Sequence, residues 1–310
     1  MNPEEINAIR IHFDDNMIII MNLCLAFVMF GVALNLKLED FRSIAKHPSK
    51  ILIGLSSQLL LLPLLTIIFI YFLNLPYSMS LGMVLVACCP GGNISNYATF
   101  LSRGNTALSI TLTSLVTLFA AFITPLSFFF WGQWIPVDDT STPLDIQLSF
   151  SKMFIIVLQL ILVPLIVGML LSRFFPQWVD RIKKPISQFS LIIFIGFIIG
   201  ALYGNFDLIL DYVYLVFWIV VLHNGTALFS GYLFSKSWGL NNRDARAIAL
   251  ETGVQNAGLG LVLVFNFFEG LGGMILIVAW WGIWDMVSSF LLALFWRYKT
   301  QPTATVLRRE

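Results

Sequence analysis

Nine times along this chain of 310 residues an apolar stretch recurs that is long enough to cross the roughly 30 Å hydrocarbon core of a bilayer. The windows fall near 17–36, 50–74, 77–102, 105–131, 149–172, 186–204, 209–234, 243–268 and 272–296. A backbone in lipid has to satisfy its own N–H and C=O groups, which only helices and closed barrels achieve. Windows of this length therefore predict an all-α polytopic membrane protein of about nine transmembrane helices. Composition agrees, with 58% hydrophobic and 11% charged residues and a mean hydropathy of +0.85, where soluble domains are about a quarter charged.

Loop charges predict the orientation. If nine spans alternate, Lys37, Arg42, Lys46, Lys50, Arg103, Arg173, Arg181, Lys183, Lys184, Lys236, Arg243, Arg246, Arg297, Lys299, Arg308 and Arg309 share one side, sixteen of the 18 Lys and Arg residues. The other side holds Arg10 and Lys152 with an acidic loop of Asp138, Asp139 and Asp145. Lys/Arg excess marks cytoplasmic loops, so residues 1–16 are expected outside, the membrane-spanning body over 17–296, and a cytoplasmic tail over 297–310. The acidic, polar first 16 residues do not resemble a cleavable signal peptide. A cell (inner) membrane is the expected location.

Two windows are interrupted. In the eighth, Glu251-Thr252-Gly253-Val254-Gln255-Asn256-Ala257-Gly258 puts a carboxylate, amides and two glycines at mid-membrane depth. A charge there costs several kcal/mol, about 3 or more, and its default reading is functional. In the third, Cys89-Pro90-Gly91-Gly92-Asn93-Ile94-Ser95-Asn96 frees backbone groups that lipid cannot satisfy. A pair of Gly/Pro-interrupted segments in separate halves of a membrane chain points to the binding site of a secondary transporter.

Neutral oxygens gather around these breaks. Ser95 and Asn96 suit a hard monovalent cation, or else repair a Pro kink. Ser109 and Thr113, four apart, share one helix face and either meet an ion or bond their own helix. Glu251 and Gln255 have the same spacing, and unwinding between them would expose the carbonyls of Thr252 and Val254. No Lys or Arg lies at mid-depth in any window, so an exchangeable cation or a proton is the expected partner of Glu251. Gln58 by itself reads as helix–helix glue. Asp285 is a second deep carboxylate that lines a cavity, titrates, or pairs with a Ser, Asn or His. His223 reads as a hydrogen-bonded packing residue, while His12 and His47 lie in flanks.

Other classes find little support. Cys24, Cys88 and Cys89 lack metal-ligand spacing and read as reduced packing residues. The basic residues are scattered among loops, without a nucleic-acid footprint. Asp138-Asp139 lacks the second half of a metal-dependent transferase motif, and neither an aspartyl pair on one helix face nor a Ser/His dyad is present, so no enzyme is expected. The tail leaves no room for a signalling domain.

Several runs together resemble the bile acid:sodium symporter family. They are Met29-Phe30-Gly31-Val32-Ala33-Leu34 with Leu38-Glu39-Asp40-Phe41, Cys88-Cys89-Pro90-Gly91-Gly92, Ser95-Asn96 with Arg103-Gly104-Asn105, Val220-Val221-Leu222-His223-Asn224-Gly225, and Glu251-Thr252-Gly253-Val254-Gln255-Asn256. The likeness runs from about residue 25 to 296. It implies an inverted repeat with a panel domain (about 17–36 and the 149–204 region) and a core domain holding the broken segments 77–102 and 243–268, which cross. The chain looks like the nine-span members, without the first helix of the ten-span ones. Two Na⁺ sites are implied: one of Ser95, Asn96, Ser109, Thr113 and Glu251, the other of Gln58, Glu251 and Gln255 with the carbonyls of Thr252 and Val254. Asn93 and Asn256 stand where family members contact substrate.

Two positions depart from the family pattern. Asn93 replaces a common Thr, and Asp285 stands where His or another neutral polar residue is frequent. An acid facing the cavity disfavours a carboxylate or sulfonate at close range, and so shifts substrate choice or adds proton coupling. The expected function is Na⁺-coupled symport, by alternating access, of a small or amphipathic organic anion: bile-acid-like, pantoate-like or another carboxylate or sulfonate. The alternative is a proton-coupled or exporting carrier of the same architecture using Glu251 and Asp285. Expected partners are the organic anion and the lipid bilayer, with no nucleic acid and no obligatory protein partner.

Overall fold

The computed structural model describes residues 6–7, 10, 15–34, 48–136, 150–203 and 206–299. The loop charges Lys37, Arg42 and Lys46, the run Leu38–Phe41, the acids Asp138, Asp139 and Asp145, His12, His47 and the basic end of the tail lie outside these residues. Among the described residues the only regular secondary structure is helical. Helix α1 is Asp15–Ala33 and α2 is Pro48–Leu73. The third window is split into α3, Tyr77–Cys88, and α4, Ile94–Leu101. Helices α5, Thr106–Leu118, and α6, Ala120–Gly132, follow. Then come α7, Ser151–Phe174, α8, Pro176–Tyr203, and α9, Phe206–Ser237. The eighth window is split into α10, Asn242–Gly253, and α11, Ala257–Phe267, before α12, Gly272–Lys299.

By length and composition five continuous helices are candidates to cross a membrane, and six with the bent pair α5–α6 counted as one span. The two interrupted windows are the pairs α3–α4 and α10–α11. The fourth window differs from the expected single rod: α5 and α6 meet at Phe119 with a 78° bend. Phe119 has φ −96° and ψ 7°, outside helical geometry, so the change of direction comes from one residue that the hydrophobic pattern does not mark.

Prolines leave a different mark. Pro lacks the N–H that an α-helix needs, and its ring strikes the carbonyl four residues back. In α2 a π-helical turn, Ser57–Leu61, runs up to Leu62-Pro63. In α7 another, Leu158–Leu162, runs up to Val163-Pro164. Widening the turn absorbs the misfit without ending the helix, and in α2 it places Gln58 on the buried side, 1% exposed.

The breaks pair with each other through backbone. Gly91 and Gln255 form an isolated antiparallel bridge. The Gly92 N–H donates to Val254 O at 3.2 Å, and the Asn256 N–H donates to Pro90 O at 2.8 Å. Groups freed by the two interruptions thus satisfy one another, which is what a water-poor interior requires. The restart after the second break is capped, the Asn256 side chain accepting the Leu259 N–H at 3.0 Å.

Apolar packing carries the body around this crossing. The main cluster runs through α3, α11 and α12, with Met79, Met83, Leu259, Leu263 and Trp281 fully buried. Many large apolar side chains stay exposed, among them Phe72, Phe100, Phe129 and Leu233. Continuous apolar surface on this scale is unusual for a soluble monomer and suits a lipid environment.

At one end of the bundle, polar pins join α2, α5 and α10. Asn241 caps α10, its side chain accepting the Arg243 and Asp244 N–H groups. Asp244, 1% exposed, takes Lys50 Nζ at 2.7 Å, Asn105 Nδ2 at 2.7 Å and Asn241 Nδ2 at 2.8 Å. Arg246, expected in a loop, instead sits in α10 at 7% exposure, donating to Ser102 O at 2.6 Å and lying over the Trp296 ring.

Removing Lys50 leaves the Asp244 carboxylate two amide donors but no cation, at 1% exposure. Lys50→Met alone is expected to cost about 3 kcal/mol, and Lys50→Met combined with Asp244→Asn about 1 kcal/mol, since the second change removes the unpaired charge. Thermal unfolding in detergent checks the order, and equal losses would contradict it.

Candidate functional site

Glu251 lies in the last turn of α10 and is 0% exposed. Its carboxylate is met from two other helices. Ser95, in the first turn of α4, and Ser109, in the first turn of α5, both donate to Oε1. Thr113, one turn further along α5, reaches Oε1 at 2.9 Å and Oε2 at 2.8 Å. The i, i+4 spacing of Ser109 and Thr113 thus places both hydroxyls on one carboxylate.

Protons are short here. Besides Glu251, Ser95 faces Gly92 O at 2.8 Å, and Thr113 faces Asn96 Oδ1 at 3.3 Å and Ser109 O at 3.1 Å. A hydroxyl has one proton, so oxygens outnumber donors and several lone pairs go unserved. No Lys or Arg reaches Glu251 among the described residues. Nor do three or more His, Cys, Asp or Glu residues gather among them. What surrounds the carboxylate is neutral oxygen, the ligand type that hard cations prefer.

The second set lies on the other side of Gly91. Gln58 has both amide atoms buried without a hydrogen-bond partner among the described residues, and so has Gln255 Oε1. Gln255 Nε2 donates to Thr252 O at 3.0 Å and more weakly to Glu251 O at 3.4 Å. Helix α10 continues through Thr252 to Gly253, so the unwound stretch is 254–256 rather than 252–254. The Val254 carbonyl already accepts the Gly92 N–H, as above, but a carbonyl has a second lone pair. A Cβ at Gly91 would lie 3.0 Å from Glu251 Oε2, 3.1 Å from Gln58 Nε2 and 3.7 Å from Val254 O. That one glycine therefore marks where Glu251, Gln58 and the second break converge.

Asn93, Asn256 and Asp285 line a cavity of about 440 Å³ between α1 and the crossing, the size of small-molecule sites. Met29 and Val32 form the α1 wall, and Tyr97 and Phe290 flank the opposite side. Asp285, 2% exposed, accepts the Gln255 N–H at 3.2 Å through Oδ2. Of the readings open for Asp285, it lines the cavity, and its partner here is the backbone of the break.

His223 packs as expected. Its Nε2 bonds Thr66 Oγ1 at 2.7 Å, and its ring meets Phe69 and Trp281. Its neighbour Asn224 is a positioning residue that sequence reasoning passed over. Asn224 Nδ2 donates to Gly253 O at 2.7 Å, and Ser288 donates to Asn224 Oδ1 at 2.6 Å. It ties the last carbonyl of α10 to α12, one turn from Asp285. Ser57 likewise bonds Thr252 Oγ1 at 2.7 Å. Asn224 stands inside a run that already resembled the family, so that run was the available signal.

A sequence profile described as the Sodium Bile acid symporter family matches residues 22–212. The chain belongs to that family. It is 33% identical over 282 residues to an uncharacterized sodium-dependent transporter of Bacillus subtilis, covering 91% of this chain and 84% of that protein. Two chloroplastic proteins, each described as a probable sodium/metabolite cotransporter, are also similar. That of Oryza sativa is 32% identical and that of Arabidopsis thaliana 33%, each over 79% of this chain. The chain spans 58% of the length of each plant protein.

The crowding at Gly91 yields a test with an internal control. Gly91→Ala is expected to cost about 1–3 kcal/mol, as overpacking does. Gly132→Ala, where a Cβ meets nothing within 4 Å, should leave the melting temperature unchanged. Equal behaviour of the two variants would show that the convergence around Gly91 is not tight.

Proposed function

We propose that this chain is a Na⁺-coupled importer of a small organic anion, working by alternating access with two Na⁺ carried at the crossing. The observation that carries the reading is Glu251: a fully buried carboxylate ringed by neutral oxygens, with no protein cation on it among the described residues. Burying such a charge unpaired is prohibitive, and a carried cation removes the cost while serving the surplus lone pairs.

Ser95, Asn96, Ser109, Thr113 and Glu251 would hold the first ion. Gln58, Gln255, Glu251 and the carbonyls of Thr252 and Val254 would hold the second. In support of the second site, the buried amide oxygens of Gln58 and Gln255 lack protein partners among the described residues. Asn93 and Asn256 would contact the anion, aided by the helix starts they precede. Ions bound across α2, α4, α5 and α10 would order the breaks that shape the cavity, and this differential stabilisation is the coupling.

Helix α1 with the 149–204 region serves as panel and the crossing helices as core, in the cell membrane with the N-terminus outside. In that orientation the cavity, flanked by Tyr97 and Phe290, faces the cytoplasm. Its outer end is held shut between panel and core by Asn22 and Asn266, whose amides bond reciprocally at 2.9 and 3.2 Å.

Thermal stability of purified protein against Na⁺, at constant ionic strength with K⁺ or choline as replacement, tests the reading. A saturable, Na⁺-specific gain is expected, about 2.7 kcal/mol at a hundred times Kd, and Glu251→Gln should abolish it. Stabilisation by protons with none by Na⁺ would move Glu251 and Asp285 to a proton-coupled mechanism. With two Na⁺ per monovalent anion, each 100 mV of inside-negative potential contributes about 2.3 kcal/mol, so voltage-independent uptake in vesicles would refute that stoichiometry.

A further inference from the structure

We propose that the cavity selects a zwitterion: a small acid whose anionic end meets the two helix starts and whose ammonium group pairs with Asp285. The inference rests on reading this cavity as the substrate site, and it replaces the monovalent anion by a net-neutral amino acid, so that two Na⁺ would carry two net charges per cycle.

The cavity wall has two poles. On one side stand the starts of α4 and α11, preceded by Asn93 and Asn256. Asn93 makes no capping bond with its side chain. Asn256 spends its Oδ1 on the Leu259 N–H, while its Nδ2 meets the Met29 sulfur at 4.0 Å. Two amide donors and two helix N-termini thus present partial positive charge. The second pole, Asp285, adjoins the first: its Oδ2 accepts the Gln255 N–H one residue before Asn256, and it lies one turn beyond Gly282, which also lines the cavity. Among the described residues no Lys, Arg or His lines it, and the ionisable ones that do are Asp285 and Tyr97.

A simple carboxylate or sulfonate would satisfy the first pole and leave Asp285 facing a second negative charge. A small ligand that carries an ammonium group as well as its acid satisfies both, through a charge-assisted hydrogen bond to the buried Asp285. A site that hydrogen-bonds a substrate N–H also rejects the analogue lacking it, because its own polar group is then left unpaired.

The test uses matched probes that differ by one ammonium group: γ-aminobutyrate against butyrate, β-alanine against propionate, and taurine against ethanesulfonate. Each is titrated against the melting temperature of the full chain in saturating Na⁺, for wild type, Asp285→Asn and Asp285→Ser. At least one ammonium-bearing probe should act at about 10-fold lower concentration than its partner in wild type. Both variants should lose that preference.

Simple acids acting as well as their amino partners would overturn the proposal and leave the organic-anion reading intact. So would a preference that survives in both variants. A Na⁺ midpoint that rises in both variants, without any probe preference in wild type, would assign Asp285 to a coupling ion instead. Stabilisation by neither member of any pair would contradict the organic-anion site itself, and this proposal with it. The wild-type comparison stands even if both variants misfold.

Discussion

A carboxylate at zero exposure, with no lysine or arginine near it among the described residues, is the constraint around which the crossing is arranged. Glu251 is tolerable because hydroxyls arrive from α4 and α5 at once. For Ser95 to arrive, α4 has to start beside α10, and it starts there because Pro90-Gly91-Gly92 ends α3 and lets the backbone approach. Gly91 is the narrowest point of that approach, since any side chain would enter the space between Glu251 and Gln58. The break in the other window follows from the same need, because Val254, Gln255 and Asn256 supply the backbone partners that the first break lacks. Each interruption would be unaffordable alone in an apolar interior; paired, they cost little.

Polar pins away from the crossing keep its parts in register. Apolar packing in lipid has no directional preference and a weak driving force between helices, so small residues and interhelical hydrogen bonds set the geometry. Asp244 collects Lys50, Asn105 and Asn241, fixing where α10 begins relative to α2 and α5. Arg246 holds the end of α4 through Ser102. Asn224 and Ser288 hold the end of α10 against α12. Both ends of the Glu251 helix are therefore tied, which is what a carboxylate that must meet three hydroxyls requires.

Much of this was legible in the chain. Length and apolarity gave the helices, and Pro and Gly gave the two breaks. The four-residue spacing gave the shared target of Ser109 and Thr113. What stayed hidden depends on contacts between distant segments or on local geometry without a compositional mark. The bend at Phe119 replaces a straight span in a stretch whose sequence offers Pro125 as the obvious breaker, yet Pro125 sits inside α6. Arg246 was assigned to a loop because charge and burial conflict in sequence; Ser102 and Trp296 resolve the conflict only in space. Gln58 looked like interhelical glue, and its amide instead stands unbonded beside Gly91. Its burial depends on the π-helical turn before Pro63, which periodicity of 3.6 does not foresee.

The two deep carboxylates lie on either side of one short stretch of backbone, and that placement gives the proposed coupling a physical route. Gln255 touches both environments: its side chain bonds the carbonyls of Thr252 and Glu251, while its N–H donates to Asp285. An ion drawing on Gln255 Oε1 would restrain the 254–256 segment, and with it the donor that orients Asp285 at the cavity wall. A ligand pairing with Asp285 would act on the same segment from the other face. Linkage requires the two effects to be reciprocal, and a three-residue break held at both ends by backbone bonds is short enough to transmit either one.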